Sequence, residues 1–324
     1  MYILIENNTI HRSELVTLVF ELSLRLRPAP LRCPHGDCGS RSIIKYGKGK
    51  RKNIPDVQRY LCKACGRTFC DRAGTPYYRK HYPALVMLTC LDLFHSLNTP
   101  MRRQARLVPH VPRKPSHRTV MRWQRDFALF FTRLKKARLN SGRVWLGDEC
   151  YLRLGGKRVY QHVVLDSDSR AVLSSLLVRR KSQLEAEAII RWAHERTGRL
   201  PEVFVSDSNA AFGAALENLG LEKTVTHEVV NHSDGFLNPR GYGTNLLERL
   251  WGTFTEWYEN PAFRGFKTWR NTYPYCEAFS VYYNFVRPHS SLRGEEPRTP
   301  ADAAGFKHAG SWSTLIEWMR NHLN

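Results

Sequence analysis

An α/β domain with a mixed five-stranded sheet and flanking helices is the fold class this sequence predicts for its C-terminal half. A small cysteine-rich module and a helical segment are predicted ahead of it. Three observations lead there. Apolar periodicity changes from helical to alternating near residue 143, two close cysteine pairs occur before it, and charge is steeply segregated between the halves.

The charge comes first because it divides the chain. Net charge is +21 and the pI is near 9.9, which points to a polyanionic partner. Residues 1–142 carry 28 Lys+Arg against 8 Asp+Glu, a net of +20, whereas residues 143–324 carry 22 against 21, a net of +1. The first half is therefore built to lie on phosphates. At 324 residues the chain holds two or three domains, each with a core of its own. The first residues, Met1 to Glu6, have no basic n-region and no small-residue cleavage site. The longest uncharged apolar stretch, residues 84–91, is too short to span a bilayer. A cytoplasmic, nucleoid-associated protein without a membrane partner is expected. In a reducing compartment its eight cysteines read as metal ligands or buried thiols rather than disulfides.

Residues 11–26 read as an amphipathic helix, with Leu15, Leu18, Val19, Leu22 and Leu26 on one face and Pro28 and Pro30 behind it. Within residues 31–74, Cys33 and Cys38 form one close pair and Cys62 and Cys65 another. Two such knuckles supply four thiolates for one tetrahedral Zn²⁺, and Gly66, Arg67, Thr68 and Phe69 continue the second as a zinc ribbon would. Four protein ligands leave no open position, so this zinc is structural. His35 lies in the loose first knuckle and stands as an alternative ligand. Cys70, Cys90, Cys150 and Cys276 lack partner spacing. Arg51, Lys52 and Arg59, between the knuckles, are candidate phosphate contacts.

Residues 75–140 read as helices broken at Pro100 and by Pro109, Pro112 and Pro115. In the last of them Val120, Trp123, Phe127 and Phe131 form an apolar stripe, while Arg118, Arg122 and Arg125 line the other side. A helix with one buried and one Arg-lined face, behind a shorter helix and a turn, fits a helix-turn-helix-type DNA reader. Asn140, Ser141 and Gly142 read as a linker.

After it the pattern predicts strands at 143–151, 157–166 and 171–178, a helix at 182–197, a strand at 202–206, a helix at 208–219 and a strand at 224–230. A helix carrying Glu248, a long helix at 272–286 and a short one at 311–322 follow. Three antiparallel strands, then alternating helices and strands, is the order of a ribonuclease-H-like α/β domain. The expected boundaries are an N-terminal helix at 1–30, a zinc ribbon at 31–74, the DNA-binding helices at 75–140, the catalytic domain at 141–303 and a C-terminal helix at 304–324.

Three carboxylates organise that catalytic domain. Asp148 ends one apolar run, Asp207 ends another, and Glu248 lies on the later helix. Two acids at strand ends and one on a helix can converge on a pair of divalent cations that clamps both oxygens of a phosphoryl transfer. Alternation puts Asp148 on the face of Val144 and Leu146 and turns Glu149 away. Turn chemistry accounts for Asp166 and Asp168, while Glu256 remains the rival to Glu248.

Here the chain resembles a known family. Asp148 with Glu149 and Cys150, Ser206 with Asp207 and Ser208, and Asn231, His232 and Ser233 followed by Thr244, Asn245, Glu248 and Trp251 look like the catalytic blocks of prokaryotic insertion-sequence transposases of the DDE class. Zinc-ribbon members of that class carry a cysteine-pair module ahead of the catalytic domain. Tyr283, Asn284, Arg287, Pro288, His289 and Leu292 are similar to the C-terminal block of integrase-core transposases. Cys150 departs from the Thr or Ser that often follows Asp-Glu. The resemblance implies a retroviral-integrase-like core with two Mg²⁺ (or Mn²⁺) ions, Asp148 shared between them and Asp207 and Glu248 completing one site each. It implies nicking at the terminal inverted repeats of a mobile element and in-line attack of the freed 3′-OH on target DNA. A homodimer or larger assembly on double-stranded DNA is expected, because two ends are processed together. Asn245, Arg249 and His232 are supporting or DNA-contact candidates, and Asn284, Arg287 and His289 close the base of the core or touch DNA. The rival readings are a catalytically silent DNA-binding regulator derived from a transposase and a structure-specific nuclease on the same fold.

Overall fold

The computed structural model describes residues 3–5, 8–10, 32–51, 54–108, 114–208, 210–231, 237–259, 267–292 and 297–322. The helix expected at 11–26, Lys52 and His232 lie outside them, as does the side chain of Arg51. Ahead of residues 11–26 the chain opens with two short strands. Strands β1 (Ile3–Ile5) and β2 (Asn8–Ile10) pair antiparallel, with Ile3 opposite Ile10. The β-branched content of this stretch favours extended backbone.

Strands β3 (Ile43–Arg51), β4 (Ile54–Cys62) and β5 (Thr68–Cys70) form an antiparallel sheet in that order. Helices α1 (Ala84–His95), α2 (Met101–Leu107) and α3 (His117–Phe131) follow. Ser116 caps α3, its Oγ accepting from the Thr119 amide at 3.2 Å. Buried glutamines tie the three helices together. Gln124 Nε2 donates to the Cys90 carbonyl at 2.8 Å, and Gln104 Nε2 donates to the Thr99 carbonyl at 2.6 Å. Val120, Trp123, Phe127 and Phe131 are buried as their spacing predicts. The break between α2 and α3 falls where the prolines of residues 108–115 predict it. α2 ends at Leu107 and α3 begins at His117 behind its cap, Ser116. Residues 109–113 of this connection lie outside the described residues.

The C-terminal half forms the predicted mixed sheet. Its strands are β6 (Val144–Leu154), β7 (Lys157–Asp166), β8 (Val172–Val178), β9 (Val203–Asp207) and β10 (Thr226–Val230), in the order β10-β9-β6-β7-β8. The first three strands pair antiparallel, and β9 and β10 join parallel to β6. This order and these directions are the ribonuclease-H-like topology. Helices α4 (Gln183–Thr197) and α5 (Ala210–Asn218) cover one face, packing Ile189 and Phe212 on Trp145, Val164 and Phe204. Helices α6 (Asn245–Tyr258) and α7 (Trp269–Val281) cover the other, where Leu247, Leu250, Phe254 and Phe279 meet Leu146, Val163 and Val205.

The helical segment and the sheet share one apolar core. Phe131 and Leu134 sit in the same cluster as Ile189 and Phe204, together with Trp312 and Ile316 of helix α8 (Trp312–His322). The expected linker at 140–142 is ordered within this assembly. The Asn140 amide donates to the Ala304 carbonyl at 2.8 Å, and the Gly142 amide donates to Asp166 Oδ1 at 2.7 Å. Asp166 also accepts from the amide and hydroxyl of Ser169, so turn and linker chemistry account for it.

Candidate active site and metal centre

Strand pairing brings the first two acids together. The parallel register of β6 and β9 ends at Gly147 opposite Ser206. Asp148 and Asp207 are each the next residue, and alternation turns both toward the α6 face. Alternation puts residue 147 on the opposite face, where it has to be glycine because a Cβ would collide with Phe204 and Phe212, the nearest ring atom at 2.5 Å. Glu149 points away from the acids, as alternation predicts. Its carboxylate is 2% exposed and forms an ion pair with Lys181.

Trp251 fixes α6 over this pair. Its Nε1–H donates to Asp148 Oδ2 at 2.7 Å, and the Glu149 amide donates to Oδ1 at 2.7 Å. Burial pushes the Asp148 carboxyl up to about 7; these hydrogen bonds oppose the rise, and the charges of Asp207 and Glu149 add to it. The bond also sets the rotation of the helix. At about 100° per residue, Glu248 lies about 60° from Trp251 around the axis and Glu256 about 140°. Glu248 is therefore on the Asp148 side of α6, although it is exposed. Among the described residues, only the four cysteines bring three or more ligand atoms within 4.8 Å of one another, so Glu248 is not drawn into a closed cluster with the two aspartates. A pair of cations about 3.5–4 Å apart spreads its ligands more widely than a single ion does. Two side-by-side carboxylates, one of them half-buried and raised chiefly by that burial, are a donor set of the right chemistry for hard divalent cations.

The remaining candidates are dispersed. Asn245 and Arg249 are exposed on α6. Arg118 and Arg122 are exposed on α3, while Arg125 is half-buried with its guanidinium 3.5 Å from Asp126. Arg59 is exposed on β4 over the Tyr46 ring. Asn284 closes the core: its side chain accepts from the Val172 amide and donates to the Val172 carbonyl, both at 2.8 Å, which caps the free edge of β8. His289 packs edge-on against Tyr283 with centroids 4.7 Å apart, and its amide donates to the Arg298 carbonyl. Sequence reasoning missed the Trp251 bond to Asp148 and the clamp of Tyr258, whose hydroxyl bridges the amide and carbonyl of Arg153. The place of Trp251 three residues after Glu248 was the available signal.

The cysteines form a candidate metal centre. Cys33 and Cys65 sulfurs lie 3.8 Å apart and those of Cys38 and Cys62 3.6 Å apart. Four sulfurs at about 2.3 Å from a tetrahedral Zn²⁺ would stand about 3.8 Å from one another, so the set fits zinc. His35 is outside the converging group. Gly39 and Gly66 follow the second cysteine of each pair at φ +56° and +68°, which closes each knuckle. The Arg67 backbone amide pulls the Cys65 thiol down to about 6, whereas burial pushes Cys33 up to about 12.

No family model matches the chain, and no curated protein matches it. Solved structures similar to it include the HTLV-2 integrase catalytic core domain in complex with magnesium, trimeric form. It is 15% identical over 52% of this chain and 99% of that one, with a TM-score of 0.36. The simian T-cell lymphotropic virus intasome in complex with PP2A regulatory subunit B56 gamma is 18% identical over 57% of this chain and 56% of that one, at 0.33. The catalytic domain of Mos1 mariner transposase is 15% identical over 53% of this chain and 85% of that one, at 0.29. Among the described residues no helix is long and apolar enough to cross a membrane.

Proposed function

We propose that this chain is a DNA transposase of the DDE class, acting on the terminal inverted repeats of its own element. The observation that carries the reading is the pairing of Asp148 and Asp207 on adjacent strand ends beneath a helix that Trp251 locks over them. Two Mg²⁺ or Mn²⁺ ions, held by Asp148, Asp207 and Glu248, would supply Lewis-acid activation of the attacking oxygen and stabilisation of the leaving one. Trp251 holds the Asp148 carboxylate in a single orientation, and α6 presents Glu248 to the same side. Arg118, Arg122 and Arg59 are exposed cations of the basic half and bind DNA phosphates. The Cys33, Cys38, Cys62 and Cys65 centre holds one structural Zn²⁺ that folds the ribbon carrying Arg59. Two copies act together on the paired ends.

The test uses the zinc-loaded full chain with DNA bearing the element ends and Mg²⁺. Wild-type protein is expected to nick the ends and join them to target DNA. Asp148→Asn and Asp207→Asn are expected to bind the same DNA and do neither. Full activity in either variant would overturn the site. Cutting without joining would instead make the protein a nuclease.

A further inference from the structure

A cavity of about 520 Å³ opens at the β8 edge of the sheet, between α4, α7 and residues 132–136. Ser175 on its floor pairs with Val163, which pairs with Asp148. Two strand spacings, roughly 10 Å, therefore separate this cavity from the acids. Nothing in the proposed chemistry uses it.

Its lining is specific. Glu277 is 1% exposed; one carboxylate oxygen meets Lys135 at 2.6 Å, and the other, Oε1, has no hydrogen-bond partner among the described residues. A dry carboxylate oxygen is costly and calls for a donor. Trp192 and Tyr273 form the walls with their faces inward, since Lys135 Nζ lies over both, 5.7 and 5.9 Å from the ring centroids. Lys136 and Arg138 stand exposed at the rim. Arg196 is committed elsewhere, donating to the carbonyls of Leu134, Ala137, Val172 and Leu173.

We infer that this cavity is a second ligand site, for a nucleotide whose base bears an exocyclic amine. The amine donates to Glu277 Oε1, the ring stacks on Trp192 or Tyr273, and the phosphate lies on Lys136 and Arg138. Four surrounding cations exclude a cationic ligand. The volume lies within the range of about 300–1,000 Å³ typical of small-molecule pockets. The nucleotide comes either free from solution or swung out of a DNA strand.

The zinc-loaded full chain is tested in two arms. Calorimetry measures dAMP, dCMP and dTMP. The fluorescence of a duplex with one unpaired 2-aminopurine is compared with that of its fully paired counterpart. Binding of dAMP and dCMP identifies a free nucleotide; quenching confined to the unpaired duplex identifies an extruded one. In either case Trp192→Ala is expected to weaken the signal at least ~10-fold, because base–aromatic stacking is lost. Trp192 is 39% exposed, so the variant is expected to fold, and its melting curve checks this. For a free nucleotide, dTMP should bind at least ~10-fold more weakly than dAMP, since the carbonyls flanking its ring N–H repel the carboxylate. Absence of a Trp192-dependent signal in both arms, or equal affinity for dTMP and dAMP, overturns the site. Neither arm requires strand cleavage, so failure here is distinct from failure of the transposase reading.

Discussion

The four cysteines and the three acids are both candidate ligand sets, yet they are built in opposite ways. The cysteine set is closed: four sulfurs within 4.8 Å, two of the residues buried, each pair turned by its own glycine. The acid set is open: two carboxylates on neighbouring strands and a third exposed on a helix that reaches them through a tryptophan. A closed set satisfies its ion completely and holds structure; an open set leaves room for a substrate oxygen. The same contrast appears at adjacent residues. Glu149 is buried and neutralised by Lys181, whereas Asp148 faces the site with only hydrogen bonds to support it.

The comparison breaks first at the cysteines. Cys62→Ser, or chelation, is expected to take bound zinc from one ion per chain to none and to unfold β3–β5, because such sites contribute roughly 10 kcal/mol or more to folding. Metal analysis and circular dichroism check this. A folded ribbon without zinc would remove the distinction between the two sets. Next, Asp148→Asn should lower strand cleavage by at least ~100-fold, since several kcal/mol of transition-state stabilisation are lost at 1.36 kcal/mol per tenfold. Single-turnover cleavage with DNA binding measured alongside is the assay. The third acid is settled by a pair of variants. Glu248→Gln should lose activity to a similar degree and Glu256→Gln should stay within about twofold. A reversed result would mean that Trp251 does not set the rotation of α6.

Smaller effects come from stability and binding. Burial holds His95 down at about 3 and His162 at about 4, both below the ordinary value of 6.5. The fold therefore favours neutral imidazole, so this stability is complete above pH 6.5 and is lost as pH falls toward 4. Each group is expected to contribute roughly 3 kcal/mol or more over that window. Tm should drop between pH 7 and 4.5, and His95→Phe, which keeps a ring against Trp257 and Tyr282, should reduce the slope. An unchanged slope in that variant would discard the assignment for His95. Last, Arg118→Ala and Arg122→Ala should each flatten the salt dependence of DNA binding by about one unit of log–log slope. Unchanged slopes would leave α3 with an ordinary solvated face.

Several features were legible before any coordinates. The strands at 144–154, 157–166 and 172–178, the buried stripe of α3 and the knuckle cysteines follow from spacing within a few residues, and the structure has them. The preference for Asp148 over Glu149 follows from the two-residue alternation of a strand. Other features needed the tertiary fold. Buried Gln124 of α3 reaches the Cys90 carbonyl of α1, a tie between helices that spacing along one segment does not show. The helical segment shares a core with the sheet instead of hanging from a linker. Asn284 turned out to clamp the β8 edge, and the bond from Trp251 to Asp148 favours Glu248 over Glu256. The division has a physical cause. By itself the sequence determined element types, faces and candidate ligands, because these depend on side-chain spacing along one segment. The tertiary structure alone decided which faces meet and which acid looks at which, because those depend on register and helix rotation set by packing between distant segments.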